Sequence, residues 1–210
     1  MNVFKTSYEI RKEAREVLKG NWKKATGLTM LLILLLFVPM IVAIFAFPTQ
    51  ETTVSVILQI WVMLITGPVA LGFSDFFINL QRNGNGNLKD GFKGFSNFLK
   101  AFGLYFMTTL FTNLWSILLI IPGIIAAFNY SQTFYILADN PNIKVLDAIR
   151  ESKKMMYGHR GRYLLLQLSF IGWGILSIFT LGLGFIWLFT YIYASEAVFY
   201  NDIRINEDKQ

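Results

Sequence analysis

The chain reads as an all-α integral membrane protein, with six transmembrane helices paired into three hairpins and amphipathic helices on the cytoplasmic side. Three observations predict this. Of 210 residues, 54% are hydrophobic and only 15% charged, against about 25% charged in soluble domains, and a soluble core of this size does not hide so much apolar surface. The apolar residues fall in runs long enough to cross a bilayer. All 19 Lys and Arg fall in connections on one side of those runs.

Residues 1–25 form a basic cytoplasmic helix. Thr6-Ser7-Tyr8-Glu9 reads as a capping box, Ile10, Ala14, Val17 and Leu18 share a face, and Gly20 closes the helix. The membrane domain, residues 26–200, follows. Residues 26–47 carry no charge, about 33 Å of helix, and form the first span. A signal peptide competes, but the apolar run is too long for one and Pro48 stands where a cleavage site is wanted. Residues 54–77 form the second span, kinked at Gly67-Pro68. A turn-rich loop follows at Gly84-Asn85-Gly86-Asn87.

Two longer runs remain. The first divides at Pro122-Gly123 into spans 102–121 and 122–138. The second divides at Leu181-Gly182 into spans 163–180 and 182–200, before a cytoplasmic tail, 201–210. Charge decides both divisions. Six spans leave every Lys and Arg before the first span, between the second and third, between the fourth and fifth, or after the sixth. One span fewer places a basic group outside. The positive-inside rule then puts both termini and both long loops in the cytoplasm. Within the second of those loops, Asn140-Pro141 starts another amphipathic helix, with Val145, Leu146, Ile149 and Met156 on its apolar side and Gly158 as its stop. Both amphipathic helices carry cations opposite their apolar side, as expected in an anionic leaflet.

The hairpins look alike. Gly20, Gly94 and Gly158 precede them, each followed by aromatic and basic residues. The pairs Ser74-Asp75, Ser131-Gln132 and Ser195-Glu196 each precede two aromatics near the end of the returning helix. Spacing slips by one residue between hairpins, so repetition and coincidence both stay open. The pattern makes Asp75, Gln132 and Glu196 a candidate polar cluster at one depth. Asp75 and Glu196 are the only acids expected within spans, where a carboxylate is a functional suspect.

The function classes narrow accordingly. No cysteine is present and His159 is the one histidine, leaving no material for a thiolate or zinc site; no cofactor is expected. The glycine-rich loop lacks the spacing of a phosphate-binding loop, Ser169 lacks the glycines of a nucleophile elbow, and His159 reads as a headgroup contact. Asp139 reads as a helix cap. A net charge of +6 segregated beside apolar runs points to a membrane surface, not to nucleic acid. Arg11, Lys12, Arg15, Lys19, Lys153, Lys154, Arg160 and Arg162 are the candidate anionic-lipid contacts. The expectation is a non-enzymatic membrane module that binds lipid, an amphipathic peptide or another membrane protein. A small secondary transporter is the alternative, with Asn113 and Asn129 as its mid-span polar groups.

Several segments together resemble a bacterial membrane family catalogued as domain of unknown function 975. They are Gly67-Pro68 with Leu71-Gly72, Phe92-Lys93-Gly94-Phe95, Ile121-Pro122-Gly123-Ile124, Ala138-Asp139-Asn140-Pro141, Met155-Met156 with Gly158-His159, and Leu168-Ser169-Phe170-Ile171-Gly172-Trp173. The family pattern usually has a proline before the tyrosine of the last span, where this chain has Thr190. The resemblance implies a bacterial cytoplasmic membrane location. It extends more remotely to the membrane domain attached to some glycerophosphodiester phosphodiesterases, which points to lipid-related work. It implies no activity and no catalytic residues.

Overall fold

The computed structural model describes residues 4–46 and 52–207. The connection at residues 47–51 and the tail end at 208–210 lie outside them. Among the described residues the fold is helical throughout, with no strand: α1 (Ser7–Leu18), α2 (Trp22–Ala46), α3 (Thr52–Asn83), a 3₁₀ turn (Leu88–Phe92), α4 (Lys93–Ser96), α5 (Phe98–Leu118), α6 (Ile120–Tyr130), α7 (Thr133–Asp139), α8 (Val145–Met155), α9 (Arg160–Leu168), α10 (Ile171–Phe179) and α11 (Gly184–Glu207).

Among the described residues, five segments are long and apolar enough to cross a membrane: Trp22–Ala46, Thr53–Asn83, Phe98–Leu118, Ile120–Asp139 and Arg160–Phe179. The sixth expected span, within α11, is not among them. Its length suffices, but Ser195, Glu196, Asn201 and Asp202 punctuate it, and all but the half-buried Glu196 are buried. This helix faces protein over most of its length.

The breaks have local causes. Pro122 offers no N–H to the Leu118 carbonyl four residues back. α5 therefore ends at Leu118, Leu119 is extended, and α6 restarts with Pro122 in its first turn, slightly ahead of the expected division. A Cβ on Gly123 would overlap Ser116, so this glycine lets the hairpin close. The division at Gly182 is where expected, with φ 87° there and 55° at Leu181. α3 runs unbroken through Pro68. Two bends lacked any sequence expectation, at Ser131-Gln132 and Ser169-Phe170. In both, the serine hydroxyl donates to a carbonyl three residues back, Ser131 to Phe128 at 2.9 Å and Ser169 to Leu166 at 2.6 Å. Such back-bonding competes with the helix ladder and bends it.

The two amphipathic helices pack inward. Thr6 and Glu9 form the capping box of α1, and Ile10, Ala14 and Leu18 are buried, with α11, α3 and α9 as the neighbours of α1. Burying Ile10 and Leu18 contributes roughly 1.5–3 kcal/mol each. α8 likewise buries Ala148, Ile149, Ser152 and Met155, beside α5, α6 and α7. It starts at Val145, later than Asn140-Pro141 suggested, because the Asn140 side chain and carbonyl accept from Asn142 and Ile143 and form a turn instead. Apart from the exposed Leu146, the apolar faces that suggested a leaflet surface are thus largely covered by the protein's own helices.

The whole has two unlike poles. At one, charged connections converge: Asn21 donates to the Gly84 carbonyl, Lys24 to Asn85, Lys100 to the Pro141 carbonyl, and Arg82 to Asp139. Here α3 is buried from Gly67 to Ile78 except at half-buried Ala70. At the other pole the helices splay and expose apolar side chains, among them Phe45, Ile117, Ile120 and Phe179. Gly72 and Gly94 hold the polar pole tight. A Cβ on Gly72 would overlap the Gly91 carbonyl, and one on Gly94 the Pro68 carbonyl.

Candidate functional site

The end of α11 gathers the buried polar groups. Glu196 accepts from Tyr163 and Gln167, both at 2.7 Å, and from Tyr135 at 3.4 Å, tying α7 and α9 to α11. One turn on, Tyr200 donates to Asp139 at 2.9 Å, Asp139 pairs with Arg82 and Arg204, and Arg82 also donates to Asn201 at 2.8 Å. Asp202 is buried under Arg162 at 2.5 Å and accepts from the Lys5 amide, while the Lys5 carbonyl accepts from Arg162. Phe4 lies edge-on to His159, with ring centroids 4.5 Å apart. Burial and the neighbouring Arg162 push the His159 imidazole below its ordinary value, partly offset by Asp202.

The expected cluster of Asp75, Gln132 and Glu196 is divided. Asp75 pairs with Lys93 at 3.2 Å and accepts from Asn79 at 3.1 Å, facing Leu137, Ala138 and Pro141. Gln132 is fully buried and donates to Ser131, whose hydroxyl neighbours Tyr163 and so reaches Glu196 indirectly. The Gln132 carbonyl oxygen, Oε1, has no partner among the described residues. No hydrogen bond joins the three directly. α7 lies between Asp75 and Glu196, so the matching Ser-polar pairs serve different neighbours. The glycines divide similarly: Gly20 and Gly158 share φ 83° after an amphipathic helix, whereas Gly94 is a close-packing residue.

The eight candidate lipid contacts also separate. Three are engaged internally: Arg11 donates to the Ser169 carbonyl at the helix bend, Arg160 to Asn129 at 2.7 Å, and Arg162 to Asp202. Lys12, Arg15, Lys19, Lys153 and Lys154 are exposed. Asn129 is occupied further, since its carbonyl accepts from Ser152 at 2.7 Å, and Asn113 lies exposed on α5.

Arg15 leads to an apolar cavity. A groove of about 400 Å³ runs between the α1–α2 corner and the α10–α11 hairpin, lined by Arg15, Trp22, Trp173, Leu176, Ser177, Thr180, Gly184, Trp187, Leu188 and Tyr191. Its polar groups are largely used up, because Ser177 donates to the Trp173 carbonyl, Thr180 to the Ser177 carbonyl and Tyr191 to the Arg11 carbonyl. What remains is an aromatic wall with one guanidinium at its end. The sequence reading had not placed these tryptophans together. The signal was present in Trp173/Ser177 and Trp187/Tyr191, each four apart and so on one helix face.

This architecture coincides with a family match over the chain: residues 1–126 and 116–207 match the family described as Protein of unknown function (DUF975). The chain belongs to this DUF975 family. No curated protein and no solved structure matches it. For this DUF975 member, function is therefore argued from the site.

Proposed function

We propose that this protein is a non-enzymatic membrane module that holds an acyl chain of an anionic lipid in the tryptophan-lined groove, with the headgroup at Arg15. The groove carries the reading: an apolar trough suits a chain, and an exposed cation at its charged-pole end suits a phosphate. Lys12 on α1 and Lys19 at its C-terminal cap add positive charge nearby. The α2–α3 and α5–α6 hairpins cross the bilayer, and the charged pole, with both termini, faces the cytoplasm, in keeping with the one-sided Lys and Arg. The basic patch of Arg150, Lys153, Lys154 and Arg160 around Tyr157 lies on that same face.

Tryptophan fluorescence tests this. In a Trp61→Phe, Trp115→Phe background the remaining tryptophans all line the groove. Reconstituted in phosphatidylcholine nanodiscs, this variant is quenched more by phosphatidylglycerol with brominated acyl chains than by equally brominated phosphatidylcholine. A basic group near an anionic surface is worth about 1 kcal/mol. Arg15→Gln therefore lowers the preference up to about fivefold. Equal quenching by both lipids in the parent overturns the reading.

A further inference from the structure

The three hairpins differ in depth. α3 and α11 run parallel and in register: Phe73 and Phe77 stack on Tyr193, with centroids 4.5 and 6.1 Å away, and Arg82 donates to Asn201. Beyond the contact between Gln81 and Asn201, α3 continues outward for about 44 Å to Thr52 at 1.5 Å per residue. From the same level α11 extends only about 26 Å to Gly184. The α5–α6 hairpin is deep as well, since Gly67 of α3 abuts the Ala101 backbone and α5 runs on from there for about 25 Å. The α10–α11 tip stops about 18 Å short of the level of Thr52.

We propose that the α10–α11 hairpin is re-entrant: it enters the bilayer from the charged face, turns within the hydrocarbon and returns, so that residues 179–183 meet acyl chains and not water. Depth supports this. The basic helix α1 marks the charged face, and Tyr191 donates to its Arg11 carbonyl at 3.0 Å. From Tyr191 to the turn at Gly182 is about 14 Å of helix, roughly half of a 30 Å hydrocarbon core.

Backbone accounting supports it independently. Inside lipid every N–H needs an internal partner. The amides of seven successive residues across the turn have one: Thr180 donates to Ser177, Leu181 to Ile178, Gly182 to Ser177, Leu183 to Thr180, Phe185 to Gly182 and Ile186 to Leu183, all to carbonyls, and Gly184 to the Thr180 hydroxyl. The one polar side chain of the tip, Thr180, is bonded in both directions. Around it Phe179, Leu181 and Leu183 are 82%, 96% and 64% exposed. Charge segregation accommodates this arrangement, because a re-entrant hairpin returns the chain to its starting face as surely as two full crossings do.

This inference stands apart from lipid selectivity, since it is read by depth and not by quenching. The chain has no cysteine, so single-cysteine variants Leu119→Cys, Lys153→Cys and Leu181→Cys are placed in sealed vesicles of each orientation and treated with an impermeant maleimide. Position 153 reacts from the charged face, 119 from the opposite face, and 181 from neither until detergent is added. A nitroxide at 181 shows high accessibility to oxygen and low accessibility to a nickel chelate, with a depth near the bilayer centre. Leu181 is so exposed that the substitution leaves packing untouched, and the detergent arm verifies that the thiol is present. Labelling of 181 from the same face as 119 overturns the proposal, and so does a high nickel accessibility there.

Discussion

Glu196 shows how one side chain organises its surroundings. Its carboxylate receives three donors from two helices, and truncation strands the Tyr163 phenol and the Gln167 amide, while Tyr135 keeps the Tyr193 carbonyl. Glu196→Ala should therefore destabilise by about 2–3 kcal/mol, while Glu196→Gln, which keeps an acceptor and the volume, should lose clearly less. Thermal unfolding in detergent separates the two, and equal losses would show that the charge itself is the requirement. Gly72 makes the complementary case of a residue needed for what it lacks. Because backbone blocks its missing Cβ, Gly72→Ala should lower stability by about 1–3 kcal/mol, whereas alanine at Gly27, with open space, should be neutral or favourable. At this scale the sequence was half legible. Gly123 announced itself by standing after a proline in an apolar run, but nothing distinguished Ser131 and Ser169, which bend their helices, from Ser116, which back-bonds within α5 without breaking it. The difference lies in what takes the freed carbonyls: Ser152 reaches Asn129 next to one bend and Arg11 reaches Ser169 at the other.

Among the elements, α1 is the one whose role differs most from its periodicity. An apolar stripe opposite cations suits a leaflet surface and a protein groove equally, since the pattern records only that one side is dry. Docking on α11 explains the stripe, and the Phe4, Lys5, His159, Arg162 and Asp202 junction fixes its start. That junction carries a pH dependence. His159 is held below its ordinary value near 6.5, so on lowering pH the undocked or unfolded chain takes up the proton first. Stability of the docked α1 is therefore complete above about pH 6.5 and declines as pH falls through the window beneath it. Hydrogen exchange of α1 amides should accelerate relative to α3 between pH 7.5 and 5.5, and His159→Gln should flatten that response. An unaltered response in the variant would place its origin elsewhere.

For the molecule as a whole, run length and charge segregation carried much of the architecture: the helical class, the membrane-length apolar helices, and the helix breaks near Pro122 and at Gly182. They did not convey which halves of the helices pack. Hydropathy scores a side chain without regard to whether lipid or protein covers it, so the buried stretch of α3 and its exposed stretch look alike, and the apolar first half of α11 reads as part of a full span. The groove was invisible for a related reason, because three tryptophans from different segments meet only after the fold has formed. The two-pole organisation predicts that cysteines at Gly86 and Lys153 label from one face of sealed vesicles and never from opposite faces. Opposite labelling would dismantle the common charged pole.

The polarity of α11 also bears on how the chain is made. Its glutamate, asparagine and aspartate are tolerable only once Tyr163, Gln167, Arg82 and Arg162 surround them, and every one of those partners is synthesised earlier. The apolar first half of α11 suits lipid by itself, whereas its polar second half does not. Each polar group of that second half instead meets a partner that an earlier segment contributes. The helix thus docks by polar complementarity where its neighbours dock by apolar contact.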